Sequence, residues 1–145
     1  VRMALAMAQG WQLATGINLL GIGSVEALAA RARAEQMFGR ITLVVDAQRD
    51  EFYQAIFEVT PDRLVEIEPL KIVTAATVDA RACAGELIAG PEVTRWFPTG
   101  KNLFPSAAML VMLAEHRNDF CHGKQLEPIY LREASFLKIP AQMKH

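Results

Sequence analysis

Val44-Val45-Asp46-Ala47-Gln48-Arg49-Asp50-Glu51-Phe52-Tyr53 is the stretch on which the fold turns. An apolar strand ends at an acidic residue, crosses a charged turn and re-enters a strand at once. That pattern is a hairpin, and a hairpin of this kind aims a carboxylate at a cleft or at a neighbouring lobe. Working outward, residues 41–46 and 51–59 are its two arms. Thr60-Pro61-Asp62-Arg63 then turns the chain into a third strand over 64–69, so short loops predict three consecutive antiparallel strands.

Residues 1–16 are helical by propensity and stop at Gly16, where a left-handed cap belongs. No Ser, Thr, Asp or Asn precedes the first turn, and there is no initiator methionine, so the chain reads as the observed part of a longer protein. Met3, Met7 and Trp11 form one ridge of this helix, and Val1, Leu5 and Ala8 form another. A helix with two apolar sides is covered on both. The second side packs on sequence of the same chain lying ahead of residue 1, or it is a face for a partner, which adaptable methionines favour.

Residues 18–23 are predicted as a short buried strand. Ser24 is predicted to cap a helix to about residue 37 carrying Val25, Leu28, Ala29 and Ala32, with Gly39 closing it. Thr74 or Thr77 caps a short helix to residue 83, and a buried strand over 86–90 stops at Gly90-Pro91. Residues 92–104 read as loop, in which Trp96-Phe97-Pro98 is an exposed recognition loop or, more in keeping with aromatic residues after a strand, a plug at the rim of the core. Pro105 suits the first turn of a last helix with Met109, Leu110, Leu113 and Ala114 as its core stripe. Beyond Lys124 one extended segment carries Tyr130. This order is mixed α/β, not the strict alternation of a doubly wound sheet, and it is compatible with a lobe of the ribonuclease-H-like, actin-type fold.

At 145 residues, 52% hydrophobic and 21% charged, the chain can bury one core. Sixteen acidic against fifteen basic side chains give a net charge of -1. No broad positive field is available to grip a polyanion, so tight nucleic-acid binding by this chain alone is disfavoured. Cys83 and Cys121 match no metal or redox spacing and read as reduced thiols of a cytoplasmic protein. No apolar run approaches the roughly 20 residues that cross a bilayer.

Few residues are spaced for catalytic chemistry. A zinc protease needs two histidines one helical turn apart, and His116, His122 and His145 do not supply them. Cys121 and His122 beside His116 are better explained as a solvated helix end. Gly100-Lys101 has Arg95 where a phosphate loop needs its first glycine, and Asn102 where it needs a Ser or Thr. Gly21 and Gly23 open a dinucleotide pattern that Glu26 spoils. No serine lies in a nucleophile elbow, and Ser24 and Ser106 read as helix caps. Asp46, Asp50 and Glu51 are the best carboxylate cluster. Facing a cleft they would hold magnesium or act as a base; a solvated turn accounts for the same residues.

Five collinear elements resemble the TsaB (YeaZ) family. Its Val-Arg pair and small-residue helix are similar to Val1-Arg2 and Ala8-Gln9-Gly10-Trp11-Gln12-Leu13. Its G-V-S-S-L-E-A-L-A segment is similar to Gly21-Ile22-Gly23-Ser24-Val25-Glu26-Ala27-Leu28-Ala29, and its D-A-R-x-G-E-V-Y hairpin to Asp46-Ala47-Gln48-Arg49-Asp50-Glu51-Phe52-Tyr53. The P-S-A and E-P-x-Y-L-R elements are similar to Pro105-Ser106-Ala107 and Glu127-Pro128-Ile129-Tyr130-Leu131-Arg132. Two departures stand out. Gln48 replaces an arginine, which removes an anion contact, and Asp50 replaces the turn glycine, from which a turn without positive φ is expected.

The resemblance implies a two-lobed actin-type ATPase (ribonuclease-H-like) fold. Residues 1–38 would be the trailing helix-strand-helix of an N-terminal lobe whose glycine-rich loop lies ahead of Val1, and 39–145 the mixed-sheet C-terminal lobe. It implies a non-catalytic subunit that binds a TsaD-like enzyme for threonylcarbamoyl transfer to adenosine of tRNA, joined by a TsaE-like ATPase. The chain would then have no catalytic residue, metal or cofactor of its own, with ATP and magnesium in the assembled complex. It would meet tRNA only through that complex, need no membrane, and be able to form a homodimer. The contact is expected at Met3, Met7, Gly10 and Trp11, with Asp46 and Glu51 as cleft-facing acids. The alternatives are an ATP-binding actin-type enzyme, with Asp46 or Glu51 near its phosphates, and a glycopeptidase-like metallopeptidase.

Overall fold

The computed structural model describes residues 2–129 and 131. Val1 of the second helical ridge, Tyr130, Arg132 and His145 lie outside the described residues. Helix α1 spans Arg2–Thr15 and α2 spans Ser24–Ala34. Strands β1 (Gly39–Asp46), β2 (Glu51–Val59) and β3 (Leu64–Thr74) form an antiparallel meander. Helix α3 (Ala75–Cys83) then crosses to β4 (Leu87–Gly90), which runs parallel to β1, and β5 (Lys101–Asn102) runs parallel to β4. Helix α4 covers Ala107–Ala114. The sheet order is β3-β2-β1-β4-β5, a mixed five-stranded sheet.

Strand alternation splits β1 and β2 into two buried faces. Ile41, Leu43, Ala55, Phe57 and Val59 pack with Val25, Leu28, Ala29 and Ala32 of α2. Val44 and Phe52 pack on the opposite face with Val78 of α3, Ile88 and Phe97. With helices on both faces, residues 41–44 of β1 and 54–57 of β2 are buried without a break. Gly90 permits the close approach of β4 to β1: a Cβ there would lie 1.8 Å from the Val44 carbonyl oxygen. Pro69 falls within β3, where an edge strand tolerates a missing donor.

The meander stands as read from the sequence, with β3 five residues longer than its predicted end at 69. Elsewhere the structure corrects the reading. Residues 18–23 form no strand; a single antiparallel bridge joins Leu19 to Cys121. Helix α2 ends at Ala34, not near 37, because Gln36 adopts a left-handed φ of 58° and Met37 N–H donates back to Ala32 O at 2.9 Å. Gly39, expected to close that helix, instead opens β1. Ser24 is the first helical residue and not the cap, and neither Thr74 nor Ser106 makes a side-chain capping bond at its helix.

The stretch 92–104 contains a 3-10 turn, Val93–Arg95, and β5 as well as loop. Phe97 does plug the core there, stacking edge-on to Phe52 at 5.1 Å. Pro105 lies ahead of α4, outside its first turn. The stripe expected on α4 is only partly inside: Met109 is buried, whereas Leu113 and Ala114 are half-buried and Leu110 is exposed. The hairpin turn is the sharpest correction. Gln48, Arg49 and Asp50 all take positive φ, at 64°, 59° and 58°, although none is glycine.

Candidate interaction surface

Helix α1 has the composition of a core helix, yet no residue of it is fully buried. Leu5, Ala8, Gln9 and Gln12 are half-buried, and together they define the side turned toward the rest of the chain. Gln9 Nε2 donates to Gly123 O at 2.8 Å, and Gly123 N–H donates to Gln12 Oε1 at 2.7 Å. Helical periodicity puts Met3, Met7, Gly10 and Trp11 on roughly the opposite side. Met3 is 82% exposed, Met7 60% and Trp11 61%, and a Cβ on Gly10 would meet nothing within 4 Å. The four residues named from the sequence therefore form one continuous, open, apolar stripe. Leu13, one turn beyond Gly10 and 80% exposed, widens it.

A second exposed apolar surface escaped the sequence reading. Leu110, Val111 and Met112 of α4, with Phe104 and Phe120 near its ends, are all exposed. The helix is apolar nearly all round, AAMLVMLA, so periodicity alone does not say which side faces in.

The hairpin acids are arranged differently from the stripe. Asp46 is exposed, and its Oδ1 accepts the Gln48 N–H at 2.7 Å, an Asx turn that starts the left-handed run. The register pairs Asp46 with Phe52, so alternation turns Glu51 toward the opposite face of the sheet. The structure thus does not converge these two carboxylates. Among the described residues no three His, Cys, Asp or Glu side chains group as metal ligands. The Cys121–His122 pair has other duties: His122 Nδ1 accepts the Lys124 N–H at 3.3 Å, and Cys121 Sγ faces Leu19 O at 3.7 Å.

A network of ion pairs lies on the α3 side of the sheet. Arg81 binds both oxygens of Glu86 at 3.1 Å and Glu68 Oε1 at 2.9 Å. Lys71 meets Glu68 Oε2 at 2.7 Å, and the Thr42 hydroxyl donates to Glu86 at 2.8 Å. The bond from Lys71 opposes burial and, with Arg81, holds the Glu68 carboxyl below its ordinary value. Burial pushes Glu86 up, but Thr42 and Arg81 outweigh it and the net shift is also downward. Arg40 adds a third cation 3.5 Å from Glu68 Oε1, and the cluster ties α3 to the sheet. Among the described residues no helix is long and apolar enough to cross a membrane.

No protein-family model and no curated protein matches the chain. Solved structures do. A Pseudomonas aeruginosa protein with similarity to peptidase YeaZ superposes with a TM-score of 0.75 at 26% identity, over 91% of this chain and 67% of that one. The chain is YeaZ (TsaB)-like. YeaZ from Pseudomonas aeruginosa gives a TM-score of 0.74 at 24% identity, covering 90% of this chain and 68% of that chain. The YeaZ likeness bears out the family read from the five collinear elements, and with it a mixed α/β sheet.

Proposed function

We propose that this YeaZ-like chain is a non-catalytic interaction subunit. It holds and activates a TsaD-like enzyme for threonylcarbamoyl transfer to adenosine of tRNA, in a cytoplasmic assembly that also takes a TsaE-like ATPase. The observation that carries this reading is the stripe of Met3, Met7, Gly10 and Trp11, which offers large apolar side chains to solvent on a helix that buries no residue. Methionine and tryptophan suit such a face, because one adapts its shape and the other contributes a large rigid area. A small residue at Gly10 lets a partner helix come close to the backbone. The actin-type, ribonuclease-H-like assignment belongs to the same proposal. The order β3-β2-β1-β4-β5, with three antiparallel strands followed by two parallel ones, supports it. A net charge of -1 favours meeting tRNA through the partner.

The test is capture of the TsaD-like partner, with threonylcarbamoyl transfer by the mixture as a second readout. Met7→Glu combined with Trp11→Glu places two charges in the stripe at solvent-exposed positions. Binding is expected to fall at least about a hundredfold, the effect of roughly 3 kcal/mol, while unfolding stability changes by less than about 0.5 kcal/mol. Unchanged binding by the double variant rejects the stripe as the contact. Micromolar uptake of Mg-ATP by the isolated chain would instead favour an ATP-binding enzyme.

A further inference from the structure

The geometry points to Gln9, Gln12 and Gly123 as positioning residues: a clamp from the far end of the chain sets how α1 presents its apolar stripe. The idea rests on the interaction reading above. Two side chains one turn apart on α1 bind both main-chain polar groups of a single residue, one donating to its carbonyl and one accepting from its N–H. The partners are separated by 114 and 111 positions in the sequence.

Gly123 is buried and admits no substitute without movement. A Cβ would lie 2.9 Å from Gln9 Cγ and 3.2 Å from Gln12 Oε1. The clamping segment is itself held at both ends. Cys121 N–H donates to Leu19 O at 2.9 Å, just beyond α1, and the 3-10 turn Gly123–Gln125 is fixed by a reciprocal cap in which His122 N–H donates to Gln125 Oε1 at 3.0 Å. A helix with no fully buried side chain gains little orientation from packing. Its direction and its rotation about its own axis therefore depend on directional bonds, and the clamp side lies roughly opposite the stripe. Residues 121–125 thus act as a strap that turns Met3, Met7, Gly10 and Trp11 outward.

Hydrogen exchange on the full chain, followed by mass spectrometry, tests this with three variants. Gly123→Val forces the two segments apart. Gln9→Glu replaces the donor to Gly123 O with an oxygen, whereas Gln12→Glu keeps an acceptor for Gly123 N–H and gives up only the 3.2 Å bond to Ile17 O. The first two are expected to speed exchange of α1 amides about tenfold or more, with β1 and β2 amides unchanged, and Gln12→Glu to stay within about twofold of the wild type. Wild-type exchange of α1 in Gly123→Val and Gln9→Glu overturns the clamp, as does an equal effect of the two glutamate variants. Capture of the TsaD-like partner by the same proteins separates the two ideas. Loosened α1 with undiminished capture removes α1 from the contact and leaves the clamp standing.

Discussion

Helices α1 and α2 both carry several alanines and end in opposite environments. RMALAMAQGWQLAT buries no residue fully; SVEALAARARA buries Val25, Ala27, Leu28, Ala29, Ala30 and Ala32. Size explains much of the difference. Small alanines let α2 lie close against the β1–β2 face, so one leucine and one valine suffice to fill the gap to Ile41, Leu43 and Phe57. Helix α1 carries bulky Met3, Met7 and Trp11 and meets the chain through two glutamines and a turn. Apolar composition marks a surface that wants covering; it does not say whether the cover belongs to the same core.

Truncation gives the largest separation between the two helices. Leu28 is 0% exposed, and Leu28→Ala is expected to cost about 3 kcal/mol in urea unfolding, the transfer loss plus the cavity it leaves. Met7→Ala, at an exposed site, should change stability by less than about 0.5 kcal/mol. Similar costs at the two positions would mean that α1 is packed in solution and would break the contrast.

Helix α3 sharpens the comparison because charge holds it as well as packing. Arg81→Met removes the link among Glu86, Glu68 and the helix and should cost about 2 kcal/mol at neutral pH. Both folded carboxyls lie below their ordinary values, so they bind protons less readily than in the unfolded chain. Their contribution is complete above about pH 5 and is lost as pH falls through the folded values. The gap between wild type and Arg81→Met is therefore expected to narrow below about pH 4 in urea titrations, while the cost of Leu28→Ala persists.

What the sequence made legible follows from where signals are local. Strand β2 was placed to the residue, because apolar strands flanked by Gln48-Arg49-Asp50 and Pro61-Asp62 carry their own punctuation. Its Gln54 was not singled out. That side chain is 0% exposed on the Val44 face, and neither amide atom has a protein partner among the described residues. Alternation hid it, since both faces are covered here and residues 54–57 are buried without a break. Met3, Met7 and Trp11 were legible as a ridge because spacing along one helix is a local property. Their counterpart at Gly123 was not, since a clamp between residues more than a hundred positions apart leaves no periodic trace.

The smallest expected effect concerns how the helices stop. Helix α1 ends at Gly16 with φ 71°, and α3 is followed by Gly85 with φ 82°, both glycines where a left-handed residue is needed. Helix α2 builds the same stop on Gln36, with Gln36 N–H donating to Arg33 O and Met37 N–H to Ala32 O. Without a glycine to mark it, the sequence predicts a helix running on to about residue 37. A left-handed glutamine costs roughly 1 kcal/mol or more in contact between its Cβ and the backbone, and glycine gives back part of that gain as extra freedom in the unfolded chain. Gln36→Gly is accordingly expected to raise stability by about 0.5 kcal/mol. Because α2 shares the core of the sheet, that gain should appear in the global unfolding midpoint. The reverse change at Gly16 should speed exchange in the last turn of α1 and leave the midpoint where it was, since α1 opens without the core. A midpoint that moved with Gly16→Gln would place α1 in the same cooperative unit as α2.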